Sequence, residues 1–307
     1  MNLFLRNPPT NRIMNKNSFN IRRFWQLLCQ HFTDNAKTVG YVVGGTLLAC
    51  IVVILFNALF GSVPAYAKKF PFEASTDILL GTEAVKYASW VIFIVKHVFV
   101  SYVFVNISLR SNEIRYLTLP ATNGEKWLSR VVYVLVVAVM IQLAYYVSVM
   151  ICAGIGQLFH VEALTALTQL EDFYKNSNEA AMTMSQQGVF SVFSYVATAF
   201  LLAAYLLGGT IHRNVPWLST TIVLFGTFLA TIFAIGPAFV KYVNEHHPEF
   251  VKLMSERDLS WFYSKLELYL PYVSAGFFVL TVAMIWLSYR VFCRRQLVRQ
   301  KMKLISK

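Results

Sequence analysis

Charge is what this sequence has least of. Asp, Glu, Lys and Arg make up 14% of its 307 residues, against 57% hydrophobic residues, where a soluble domain carries about 25% charged residues. Acidic residues are the scarcer sign, 15 against 27 basic, and none of them lies in the long apolar runs, which argues against an ion-coupled carrier holding its ion on a membrane carboxylate. Cysteine is sparse too: Cys29, Cys50, Cys152 and Cys293 are too widely spaced for a metal motif or a disulfide framework. No Gly-x-x-x-x-Gly-Lys-Ser/Thr loop, His-Glu-x-x-His or Gly-x-Ser-x-Gly occurs. The chain therefore lacks these devices for cradling a nucleotide or activating a nucleophile. Nothing marks an enzyme, and no cofactor or metal is expected in this chain.

What is present is apolar sequence in six runs, at about 38–60, 88–109, 131–153, 189–208, 218–240 and 272–292. Each approaches the ~20 helical residues that cross a hydrocarbon core, and none has the short alternating pattern of a barrel strand. The sequence thus predicts an all-α, polytopic membrane protein with six transmembrane helices. Of the 27 Lys and Arg residues, 18 fall on the side of the two termini and 8 on the opposite side, while the acidic residues divide 3 against 12. By the positive-inside rule both termini are cytoplasmic, and the net charge of +12 reflects topology instead of nucleic-acid binding. Val63-Pro-Ala-Tyr-Ala67 resembles a signal cleavage site, but a long polar lead and a full-length span precede it.

Residues 1–17 read as a disordered cytoplasmic tail. In 18–36, Ile21, Phe24, Trp25, Leu28 and Phe32 recur on one helical face, with Arg22, Arg23, Gln26 and Gln30 on the other. This pattern predicts an amphipathic interfacial helix touching membrane lipids, or one packed on a partner. The transmembrane domain spans 37–293, and 294–307 form a basic cytoplasmic tail. Gly40 and Gly44 on span one suit close helix packing, and Gly236-Pro237 predicts a kink in span five. An aromatic-rich external segment fills 241–271. Within it, Glu245-His246-His247-Pro248-Glu249 has metal-ligand residue types at an unsuitable spacing and reads as a solvated loop.

Two places stand out. Leu117-Thr-Leu-Pro-Ala-Thr-Asn-Gly-Glu-Lys-Trp-Leu-Ser-Arg130 is a polar island between spans two and three. There Thr122 and Glu125 have the spacing of a capping box, so a helix starts at this point and runs directly into span three. The bland reading is a well-capped loop; the functional one is a surface for another protein. The second place is Lys96-His97, within span two. With the helix entering near Trp90, Lys96 snorkels to the outer headgroups, forms an internal structural pair with His97, or lines a substrate or proton path.

Taken in order, these features resemble the permease subunits of type-2 ABC exporters. Phe19 to Leu28, followed by Asn35 and Lys37, looks like that family's amphipathic connecting helix. Leu119-Pro-Ala-Thr-Asn-Gly-Glu-Lys126 is similar to its cytoplasmic Leu-Pro-x-Ser/Thr element, and the aromatic segment before span six suits its re-entrant helices. The resemblance implies a permease in a bacterial inner membrane, paired with a second copy or a related chain. It also implies a separate cytoplasmic ABC-type ATPase docking around Pro120, Thr122, Glu125, Lys126 and Arg130, bordered by Arg22, Arg23, Phe24 and Trp25. Lys96 and His97 depart from the family pattern. The alternative is a non-transport sensor or assembly partner that uses the same turn, with an ion-coupled carrier as a third reading.

Overall fold

A computed structural model describes residues 19–61, 76–104, 121–165, 167, 184–212, 215–246 and 260–305. All regular structure among them is helical: α1 (Ile21–Phe60), α2 (Thr76–Tyr102), α3 (Asn123–Phe159), the single turn α4 (Glu162–Thr165), α5 (Met184–Ile211), α6 (Pro216–His246) and α7 (Ser260–Ile305). Six of these are long and apolar enough to cross a membrane, the architecture of a multi-pass membrane protein. The residues assigned from sequence to the N-terminal tail, 1–17, and Pro120 lie outside the described residues.

The expected division between an interfacial helix and span one is not seen. Ile21–Phe60 is one helix of 40 residues, about 60 Å at 1.5 Å per residue and twice a hydrocarbon core. Its apolar window begins near residue 38, so the N-terminal turns extend beyond a membrane span. The polar junction stays helical because its side chains bond to the helix itself. Thr33 Oγ1 donates to the Cys29 carbonyl at 2.8 Å, and Asn35 Nδ2 to that of His31 at 2.9 Å. No proline interrupts the stretch. Its faces also differ from the sequence reading: Leu27 and Leu28 are buried and Phe24 and Phe32 pack on the core, whereas Ile21 and Trp25 are exposed.

Span two is displaced from its expected bounds. Against the expected 88–109, α2 starts earlier, at Thr76, and runs to Tyr102, while 105–109 lie outside the described residues. Two other expected boundaries also move. The segment 241–271 is partly helical, since α6 runs through Pro237 to His246 and α7 begins at Ser260. Helix α7 continues to Ile305, so most of the basic tail extends the last span.

Helix α1 packs along α3 and α2, while α5 joins α2 to α6 and α7. The two groups meet where backbones come close. A Cβ on Gly209 would lie 2.3 Å from the Ser101 carbonyl oxygen of α2, and one on Gly208 would strike Thr220 of α6. By contrast, a Cβ on Gly40, Gly44 or Gly45 meets nothing within 4 Å among the described residues, so none of them fills the small-residue notch of α1. At its far end α3 closes on His160 in the left-handed region (φ 53°). The Val161 amide then donates to Gly156 at 3.0 Å, folding α4 back so that Leu164 is buried over Gly156.

Candidate functional site

The polar island of the sequence becomes a junction of three helix ends. Thr122 caps α3: its Oγ1 accepts from the Glu125 amide at 3.2 Å, and Glu125 Oε2 accepts from the Thr122 amide at 2.8 Å. Both halves of the capping box are thus formed. Glu125 also reaches across the bundle, where its Oε1 accepts from the Asn20 amide at 2.6 Å and from the Arg23 guanidinium at 3.0 Å. Asn20 is the N-cap of α1, its side-chain oxygen accepting from the Arg22 and Arg23 amides. One carboxylate therefore binds the N-termini of two helices.

The electrostatic reason is the helix dipole. Helices α1 and α3 run parallel with their N-termini side by side, and each N-terminus carries roughly half a positive charge. Left alone, these ends repel one another. A carboxylate between them turns that repulsion into attraction to a shared anion, and it satisfies two amides that the helices themselves leave free. Glu125 is 0% exposed. Burial pushes its pKa up, but the Thr122 and Asn20 amides and the Arg23 guanidinium outweigh that effect and hold it below the ordinary carboxylate value.

One turn further along α3 the opposite charge meets the opposite helix end. Arg130, also buried, donates from its Nη1 to the Val103 carbonyl at 2.7 Å, just past the end of α2, where the dipole is negative. Its guanidinium lies 5.9 Å from the centre of the Phe104 ring. Between the two anchors, Ser129 Oγ lies 3.3 Å from His31 Nε2 of α1, and Phe32 meets Tyr133 edge-on at 4.9 Å. Burial, then the neighbouring Arg130 charge, lower the His31 pKa to about 3, so this imidazole is neutral at physiological pH. Trp127 Nε1 donates to Ser288 Oγ at 3.3 Å, tying α7 to the same level.

Of the sequence-predicted docking residues, Thr122 is half-buried and Pro120 lies outside the described residues. Glu125, Lys126 and Arg130 are buried, and the Glu125 and Arg130 head groups are engaged within the chain, because three helix termini converge on them. Arg23 joins the same cluster, Phe24 stacks near Phe19 at 5.8 Å, and Arg22 and Trp25 point outward. Sequence reasoning missed Asn20, His31 and Ser129. Asn20 alone carried a local signal, an N-cap residue immediately before the periodic run that starts at Ile21.

Lys96 and His97 are split between different neighbours, since adjacent residues on a helix point about 100° apart. Lys96 donates its ammonium to the Gln142 side-chain oxygen of α3. His97 is buried, with its ring 5.0 Å from that of Tyr205 on α5. Its Nδ1 lies 2.6 Å from the Phe93 carbonyl; a carbonyl only accepts, so Nδ1 carries a proton. Among the described residues, Nε2 has no hydrogen-bond partner. Tyr205 instead pairs its hydroxyl with Thr221 at 2.8 Å.

Comparison with known proteins returns no match to a family model, a curated protein or a solved structure.

Proposed function

We propose that this chain is the permease subunit of an ATP-driven exporter in a bacterial inner membrane. Its termini face the cytoplasm, and a separate ABC-type ATPase acts on the connection between α2 and α3. The subunit works as a homodimer or beside a related permease, and transport runs between protomers. The observation that carries this reading is the junction at Glu125 and Arg130. A push on the α2–α3 connection enters both helices at their clamped ends, and Glu125 passes it on to α1. Glu125, Lys126 and Arg130 then serve as transmission residues, with contact to the ATPase made by the connection itself.

The test is purification of tagged chain under gentle solubilisation with its genomic neighbours co-expressed, followed by reconstitution. The expected result is a complex that hydrolyses ATP and in which Glu125→Ala with Arg130→Ala keeps hydrolysis but loses its coupling to transport. Isolation of the chain alone, with no ATPase stabilised by it, overturns the proposal. Recovery of a kinase or an envelope-assembly protein in its place makes the chain a sensor or assembly partner.

A further inference from the structure

Lys96 is one of two basic residues within the six apolar runs of the sequence; the other, Arg290, lies near the end of its run, stacked over the Trp286 ring. A lysine near the centre of a membrane helix costs about 2.5–3.5 kcal/mol and is retained where something compensates it. The chain's own compensation is partial. The ammonium has three donors, and Gln142 takes one. The apolar windows contain no Asp or Glu, and among the described residues no carboxylate pairs with Lys96.

Depth and surroundings narrow what completes it. Gln142 is at the midpoint of the 131–153 run. The Lys96 ammonium that donates to it is held at that level. Both side chains are half-buried, and Val139 and Leu143, next to Gln142 on the surface of α3, are exposed. The pair therefore opens sideways from the α2–α3 seam instead of into a sealed core. Packing between membrane helices favours small residues, and this rim has large aliphatic ones, suited to an alkyl chain.

We propose that Lys96 and Gln142 form a mid-membrane binding site for the anionic head of an amphiphile, a carboxylate or phosphate on an alkyl chain, entering laterally between α2 and α3. The head group receives the free ammonium donors and one amide donor of Gln142, and the chain lies along Val139 and Leu143. If the transport reading holds, this site names the class of cargo. The site itself rests only on the chain's geometry, so its test uses the chain without an ATPase.

The full chain is placed in zwitterionic nanodiscs with photoreactive palmitate, or with the matched photoreactive hexadecanol, and labelled peptides are mapped. Labelling at the α2–α3 seam is expected to favour the carboxylate by about tenfold, the ratio carried by one charge-assisted hydrogen bond. Lys96→Arg keeps the preference, and Lys96→Gln abolishes it while labelling by hexadecanol persists and so reports an intact fold. A photoreactive anionic phospholipid replacing palmitate distinguishes a lipid headgroup from a free fatty acid as the source. Equal labelling by both palmitate and hexadecanol probes in the wild-type chain, or an undiminished carboxylate preference in Lys96→Gln, overturns the proposal. So does an acidic residue of a second chain cross-linked to Lys96 in native membranes, which makes the position a helix–helix ion pair.

Discussion

Replacing Glu125 with alanine removes the one group that holds α1 and α3 together by their N-termini. Three donors lose their acceptor at once: the amides of Asn20 and Thr122, and the Arg23 guanidinium. The Arg23 side chain is 25% exposed, so water replaces part of its bond, and its share is small. The two amides cost about 1–3 kcal/mol each where water cannot reach them. Fraying of the first turn of α1 restores hydration and limits the loss, so the expected weakening is about 2 kcal/mol, at the lower end of that range. Fraying exposes Arg22 and Arg23 to trypsin. In the regime where cleavage follows the open population, 2 kcal/mol corresponds to about a 30-fold faster cut. The assay is N-terminal sequencing of tryptic fragments over time, in detergent and in nanodiscs. The lowered Glu125 pKa adds a pH arm: a carboxylate depressed in the folded state contributes stability that is present above its unfolded value and lost as pH falls through the folded one. Trp25 fluorescence should therefore stay flat from pH 7 through the ordinary carboxylate value of about 4.3 and change only below it, with no such step in Glu125→Ala. Equal cleavage rates in the two proteins refute the shared-carboxylate account.

Two further outcomes test the packing. Gly209→Val forces α2 and α5 apart at Ser101 and should abolish recovery of folded protein on size-exclusion chromatography, while Gly44→Val, with nothing within 4 Å, should elute as a folded chain. If Gly209→Val folds normally, the α2–α5 contact is misplaced. Arg130→Leu removes the cation at the end of α2 and should speed amide hydrogen exchange over 101–104 by about tenfold, for the 1.5–3 kcal/mol of a hydrogen bond to a charged group, leaving α6 unchanged.

The sequence was legible where the cause is local. Six apolar runs reported six long helices, and Thr122 and Glu125, three residues apart, reported a capping box that forms as read. What stayed hidden needed partners distant in the chain. Nothing in the spacing of Glu125 announces that its second oxygen serves Asn20, 105 positions earlier, so a buried brace looked like a surface charge. The start of α2 needed more than hydropathy: the helix begins at Thr76, ahead of the apolar run, and carries Glu83 and Lys86, which pair with each other at 3.4 Å.

The back-bonded side chains of α1 carry a consequence for biogenesis. Thr33, Asn35, Thr46 and Asn57 each donate to a carbonyl of their own helix, so these four side chains of α1 are satisfied before any other helix is made. Glu125 is not satisfied within its own helix, because two of its partners belong to α1. Synthesis from the N-terminus delivers α1 first, and the buried carboxylate of α3 emerges only when the amide and guanidinium that receive it are already in place. Vectorial translation thus sets the order of assembly, and a circular permutation that made α3 before α1 would leave Glu125 with the Thr122 amide as its one partner among the three donors until α1 emerged.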